Sequence, residues 1–409
     1  MADLRAQLAV LREKVAQIDR KYAAEKPRVE PCLIEDILSG EIVETPFGAH
    51  FETERLYERH RRHGSVGFGD LFDLPQNLLA AISEGLIAQS HPSQWAFLDT
   101  ETTGLGGGSG THAFLIGVGS IDKAGFRVRQ FFMRDYDEEA SLLASLAAYL
   151  ERFDVLVTYN GKAYDQPLLE TRYRMARAWP PFARMHHLDL LFGARRLWKL
   201  RLDSCRLVDL ENQVLGVERQ GDLPGELIPY YYFEYLRQRQ AFKLVPIFHH
   251  NAMDIVSLAC LTAIVPTAFG EPHGSLFRHG ADMIGIARWL LASGRDEEAL
   301  SLYRRAMDLG LSDALMFRTL AEIGAIEKRL GRDAAALETF ADLTASPNPY
   351  RAHAFAQLAK HYEHRERNYV LALEMTHHAR NIEDSPELEH RETRLRRRLE
   401  PKRPKTPGK

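Results

Sequence analysis

The feature that most restricts the fold is a short apolar run that ends in two spaced acids. Ala96-Phe97-Leu98 leads into Asp99, and Glu101 follows two positions later. Such a run reads as a buried strand. Side chains alternate along a strand, so Asp99 and Glu101 point to one face. Neighbouring carboxylates repel each other unless positive charge lies between them. A hard divalent cation with oxygen ligands supplies that charge. For an isolated pair, the alternative is a strand end with two solvated acids.

The residues after this run extend it into a sheet. Residues 113–120 are apolar and residues 126–133 alternate, so the three segments read as an antiparallel meander. Residues 138–153 predict an amphipathic helix, and 154–159 a buried strand. Asn160-Gly161 then turns the chain into a helix beginning near Asp165, and His187-Leu188-Asp189 opens a short strand. This order implies a mixed α/β sheet with helices on its faces. The glycine-rich segment after Gly104 lacks the Gly-Lys-Ser/Thr ending of a phosphate loop, so nucleotide binding of that kind is rejected.

Before the meander, residues 1–25 carry Leu4, Leu8, Leu11, Val15 and Ile18 at helical spacing. Residues 41–53 read as a hairpin around Pro46 and Gly48, and residues 76–89 as a helix. After the sheet region, Gly294-Arg-Asp-Glu-Glu-Ala-Leu recurs as Gly331-Arg-Asp-Ala-Ala-Ala-Leu, and a weaker copy follows at Asn368. Helix pairs recurring every ~34 residues are the signature of tetratricopeptide repeats. The expected organisation is an N-terminal helical and hairpin region (1–93), an α/β domain (94–266), an all-α repeat region (280–385) and a basic disordered tail (386–409).

The formal net charge of −3 provides no global field to attract nucleic acid, so any such binding relies on local basic patches. The three cysteines are widely spaced, which suits a reducing compartment without a disulfide framework. The start of the chain lacks the long apolar core of a signal peptide, and the apolar stretch at 258–269 reads as too short to span a bilayer. The expectation is a cytoplasmic protein with no membrane partner.

Four acids then fall in an ordered set. Asp99 and Glu101 come first, Asp165 follows in Asn160-Gly161-Lys162-Ala163-Tyr164-Asp165, and Asp254 closes His249-His250-Asn251-Ala252-Met253-Asp254. Taken alone, Asp165 suits a helix cap, and Asp254 with a histidine one turn earlier suits a structural hydrogen bond. Taken together, Asp-Thr-Glu-Thr-Thr-Gly, Asn-Gly-x-x-Tyr-Asp and His-Asn-x-x-Asp resemble the ribonuclease-H-like exonucleases of the DEDD class. Leu223-Pro224-Gly225-Glu226-Leu227-Ile228-Pro229 and the aromatic run after it resemble a bacterial subfamily that adds tetratricopeptide repeats.

The resemblance implies a ribonuclease-H-like sheet and a metal-dependent 3′-to-5′ exonuclease acting on DNA or RNA. Asp99, Glu101, Asp165 and Asp254 would hold two Mg²⁺ or Mn²⁺ ions, and a histidine would deprotonate the attacking water. Both His249 and His250 occupy positions used for that base; the one-turn spacing to Asp254 favours His250. Thr102, Asn160, Lys162 and Tyr164 are candidate substrate contacts, and Arg195, Arg196 and Lys199 lie close by in sequence. A catalytically inactive nucleic-acid-binding or scaffold protein is the rival reading, and the repeats are a candidate surface for a protein partner. The sequence specifies no oligomeric state.

Overall fold

A computed structural model describes residues 30–104, 110–219, 221–274 and 277–400. The segment predicted as a helix at 1–25, the centre of the glycine-rich loop and residues 401–409 lie outside the described residues.

The strands are β1 (Glu41–Thr45), β2 (Gly48–Glu58), β3 (Arg62–His63), β4 (Val66–Gly67), β5 (Trp95–Thr102), β6 (Ala113–Asp122), β7 (Gly125–Phe132), β8 (Val155–Thr158) and β9 (His186–Asp189). Seven of them form one sheet in the order β1-β2-β7-β6-β5-β8-β9, and β3 pairs with β4 apart from it. The hairpin at 41–53 forms with Thr45 opposite Gly48. The meander β5-β6-β7 is antiparallel, whereas β8 joins β5 and β9 joins β8 in parallel. The sheet is therefore mixed, with the acid-bearing β5 between an antiparallel and a parallel neighbour.

The longer helices are α1 (Glu139–Leu150), α2 (Asp165–Met175), α3 (Leu190–Trp198), α4 (Ile228–Gln238) and α5 (Val245–Gly270), followed by the C-terminal run α6 (Gly280–Ala292), α7 (Asp296–Asp308), α8 (Asp313–Arg329), α9 (Asp333–Thr344), α10 (Arg351–His364), α11 (Tyr369–Ile382) and α12 (Pro386–Leu399). Alternation along β5 assigns its side chains to two cores. Trp95 and Phe97 pack with the C-terminal half of α5, and Ala96 and Leu98 pack with α1, α2 and α4. A strand apolar on both faces has to be central in its sheet. Gly117 on β6 lets α5 come close: a Cβ there would lie 2.2 Å from Ile255 Cδ1 and 2.3 Å from Asn251 Oδ1.

Helix α5 corrects one expectation. The apolar segment is not a short interrupted stretch; residues Ala241–Gly270 are long and apolar enough to cross a membrane by composition. With 72% of its apolar window buried inside the fold, α5 reads as the central core helix. Residues 76–89 also differ from expectation. They form successive turns with hydrogen bonds of mixed span, such as Ala80 to Asn77 and Gly85 to Ala80. Glu84 and Gly85 adopt φ of +54° and +83°, which an α-helix cannot accommodate.

The C-terminal recurrence corresponds to helix hairpins. Gly294 and Gly331 sit between α6 and α7 and between α8 and α9, with φ of +74° and +76°. Glycine adopts this left-handed conformation without a Cβ penalty. Helices α6, α7 and α8 share the core under the sheet, whereas α9 and α10 build a smaller core of their own. The basic tail is corrected too. Residues Pro386–Leu399 form α12, capped by Ser385, and Arg391 and Arg394 bind the buried Glu363 of α10 rather than solvent.

Candidate active site

The sheet parity sets the first two acids. Asp99 and Glu101 continue the Trp95–Phe97 face of β5 toward α5, and the ladder to β6 shifts register between Glu101 and Thr102. Asp254 comes from α5 itself. That helix begins at Val245, so Asp254 lies within its first half. One turn earlier on the same helix, Asn251 Nδ2 donates to Asp99 Oδ2 at 2.8 Å, joining residues 152 positions apart. A hydrogen bond to a charged group contributes about 1.5–3 kcal/mol. Asn251 also accepts from the amide of Gln130 on β7, so its rotamer is fixed from both sides.

Asp165 opens α2 without capping it. Its Oδ1 accepts from Thr100 Oγ1 at 2.6 Å, and the N-cap residue is Tyr164. The turn before it is held by Asp189, whose carboxylate accepts from the backbone of Asn160 at 2.8 Å and Lys162 at 3.1 Å. Asn160 takes φ of +67°, a conformation asparagine tolerates better than most residues. Asp189 is therefore a clamp on the turn that delivers Asp165.

The electrostatics mark this as a charged pocket short of cations. Burial, and then the charges of Asp254, Glu101 and Asp165, push the Asp99 carboxyl well above its ordinary range, against the Asn251 hydrogen bond. Burial also raises Glu101; His250 opposes it, Asp254, Asp165 and Asp222 add to it, and the carboxyl reaches about 8. Asp165 is raised by burial to about 6, with the Thr100 hydrogen bond holding it down. A set of oxygen donors that disfavour each other's charge is suited to a hard divalent cation. Among the described residues, no three His, Cys, Asp or Glu side chains stand converged as a ready coordination group.

An arginine that the sequence pattern did not flag also reaches one of these acids. Arg219 contacts Oδ1 of Asp254, both carboxylate oxygens of Glu211, and Asp222 Oδ2 at 3.2 Å. Burial works against its charge, but Asp254 and Glu211 outweigh that and its pKa is raised.

The two histidines separate clearly. His249 is exposed, and burial together with Arg55 lowers its pKa. His250 is largely enclosed, with Nδ1 2.8 Å from Asp222 Oδ1 and Nε2 3.7 Å from Asp254 Oδ2. Burial opposes its protonation, yet Asp254, Glu101 and Asp222 raise its pKa. Burial raises Asp222, but the His250 contact and Arg219 bring it below the usual carboxylate value. An ionised carboxylate only accepts, so Nδ1 donates to it and Nε2 is the nitrogen presented to the acids.

The structure thus sets Asp99, Glu101, Asp165, Asp254 and His250 close enough to shift one another's charge, without drawing three of them into one coordination group, and leaves His249 exposed. Thr102 donates to Gly104 O at 2.9 Å, Lys162 is exposed, and Tyr164 is 63% exposed beside the α2 terminus. Sequence reasoning missed Thr100, Asn251, Arg219, Asp222 and Glu211. Thr100 and Asn251 stood inside quoted motifs. Arg219 and Asp222 lie 35 and 28 positions before their partners, with no local periodicity to mark them.

Residues 96–265, which hold all of these groups, match the RNase_H superfamily. The chain is also 31% identical over 344 residues to the uncharacterized protein YprB of Bacillus subtilis (strain 168), covering 82% of this chain and 81% of that one. A seven-stranded mixed sheet with helices on both faces fits the same fold, and superfamily membership suggests a nuclease or hydrolase that binds nucleic acid. The chain belongs to the RNase_H superfamily.

Proposed function

We propose that this protein is a metal-dependent 3′-to-5′ exonuclease that hydrolyses phosphodiester bonds of DNA or RNA. The observation that carries the reading is the meeting of Asp99 and Glu101 from β5 with Asp165 from α2 and Asp254 from α5, each raising or opposing another's charge. The direction of attack follows from the likeness of the three motifs to DEDD-class exonucleases. Asp99, Glu101, Asp165 and Asp254 are the residues that would hold two Mg²⁺ or Mn²⁺ ions. When bound, such ions lower the pKa of water and neutralise an anionic phosphorus centre.

The chain's own residues do the rest. Asn251 and Thr100 hold Asp99 and Asp165 at fixed orientations. His250, tethered by Asp222, directs Nε2 into the pocket and takes a proton from the attacking water. The Asn160–Tyr164 turn borders the pocket where the terminal nucleotide would rest. The C-terminal helices are read as divergent tetratricopeptide-like repeats.

The test is hydrolysis of labelled single- and double-stranded DNA and RNA with Mg²⁺ or Mn²⁺. Asp99→Ala should lose at least about 1,000-fold in rate, roughly 4 kcal/mol of barrier, and Mn²⁺ should raise the melting temperature of the wild type but not of the variant. Equal hydrolysis by a folded Asp99→Ala chain, or no shift with Mn²⁺ in the wild type, overturns the reading.

A further inference from the structure

Helix α3 and its C-cap residue Lys199 carry three cations without acidic partners. Arg195, Arg196 and Lys199 are exposed, and none makes an ion pair or side-chain hydrogen bond among the described residues. Many other arginines are paired, as in Arg206–Asp209 at 2.9 Å and Arg329–Asp296 at 2.8 Å. Three unpaired cations thus fall within the five positions 195–199.

They also line concave space. Arg195 and Lys199 border two cavities, one of about 580 Å³ shared with Arg288 and Trp289 of α6, and one of about 670 Å³ shared with Tyr159 and Asn160. Arg196 borders the first of these and a third of about 250 Å³ that reaches Lys162 and Phe192. Phe192 is 55% exposed, an apolar ring with no core to occupy. The three spaces therefore adjoin one another around α3 and end at the turn that delivers Asp165.

The α6 wall is fixed in place. A Cβ at Gly285 would lie 2.1 Å from Arg196 O, so the two helices meet backbone to backbone. Arg201 binds Asp282 of α6 at 2.8 Å in a mostly buried pair.

We propose that α3 and the docked edge of α6 form a track for single-stranded nucleic acid leading into the acid pocket; this rests on the nuclease reading. Cations neutralise successive phosphates, and an open aromatic ring stacks on bases whatever their identity. Hollows flanking one helix accept bases that can rotate out of a stack, whereas a duplex would offer them only phosphates. The C-terminal helices are then part of the substrate surface.

The test uses the full chain in EDTA, where binding needs no hydrolysis. Fluorescence anisotropy follows a labelled 12-nucleotide single strand, the matching duplex and an acidic peptide of equal charge. Arg195→Glu/Arg196→Glu/Lys199→Glu should weaken single-strand binding at least 30-fold and reduce the slope of log K against log salt by about 2, three phosphates at ~0.7 each. Phe192→Ala should weaken it several-fold without changing that slope. Arg195→Lys/Arg196→Lys, which keeps the charges, should retain most of the affinity and controls for folding. Unchanged affinity and slope in the triple variant, or equal binding of the duplex or the peptide by the wild type, overturns the track. A chain that binds through these residues yet hydrolyses nothing would keep the track and end the nuclease reading.

Discussion

Two enclosed glutamates, Glu101 and Glu363, show opposite ways of burying a carboxylate. Glu363 on α10 is 1% exposed and receives Arg391 at 2.6 Å and Arg394 at 2.7 Å from α12. Burial raises its pKa, but the two arginines bring it below the usual value. Glu101 on β5 is 9% exposed; burial outweighs the nearby His250, and Asp254, Asp165 and Asp222 add to it, so its carboxyl rises to about 8. A buried charge is costly unless paired. The fold pairs Glu363 with two arginines, and among the described residues Glu101 has no ion pair. The difference teaches that the β5 site, even with His250 and Arg219 beside it, leaves its acids raised by burial and by one another, where the α10 site pairs its acid directly.

The sharpest way to break this contrast is Glu363→Ala. It leaves Arg391 and Arg394 without their acid, and the chain should lose roughly 2–3 kcal/mol of stability, below the value for a fully buried pair because Arg394 is partly exposed. Denaturant unfolding measures this; a loss under about 0.5 kcal/mol would put Glu363 in the same class as surface pairs. Glu101→Gln should do the reverse in EDTA and stabilise the chain. The folded pKa of Glu101, about 8, exceeds its ordinary 4.5, so its favourable contribution is complete below about 4.5 and disappears as pH rises through 8. The gain from the substitution should therefore be near zero at pH 4.5 and reach about 1–2 kcal/mol above pH 8. Melting temperatures across that range check the sign, and a gain that is flat with pH contradicts it. The smallest effect should be Arg394→Gln, about 0.5 kcal/mol, because Arg391 still holds Glu363 and Arg394 is solvent-screened.

Much of the acid site was legible because it is written in local patterns. The run from Trp95 sets strand parity, Asn160-Gly161 sets the turn into α2, and one helical turn relates His250 to Asp254. What escaped depends on partners far along the chain. Arg391 and Arg394 look solvated until Glu363 arrives from 28 and 31 positions away. Arg219 and Asp222 follow the single-turn segments near Leu210 and carry no periodicity, so nothing local announces that they hold Asp254 and His250. The failed helix at 76–89 has a different cause: its composition suits a helix, but the left-handed pair Glu84–Gly85 breaks the segment near its end.

Helix α5 has a consequence for how this protein tolerates change. His250, Asn251 and Asp254 sit on the same rod as Ile255, Val256 and Ala259, which are wedged against the sheet. Interiors are packed too tightly for one part of such a rod to shift alone. Damage deep beneath the sheet is therefore felt at the acid site, and a lesion that touches none of its side chains would displace all three together.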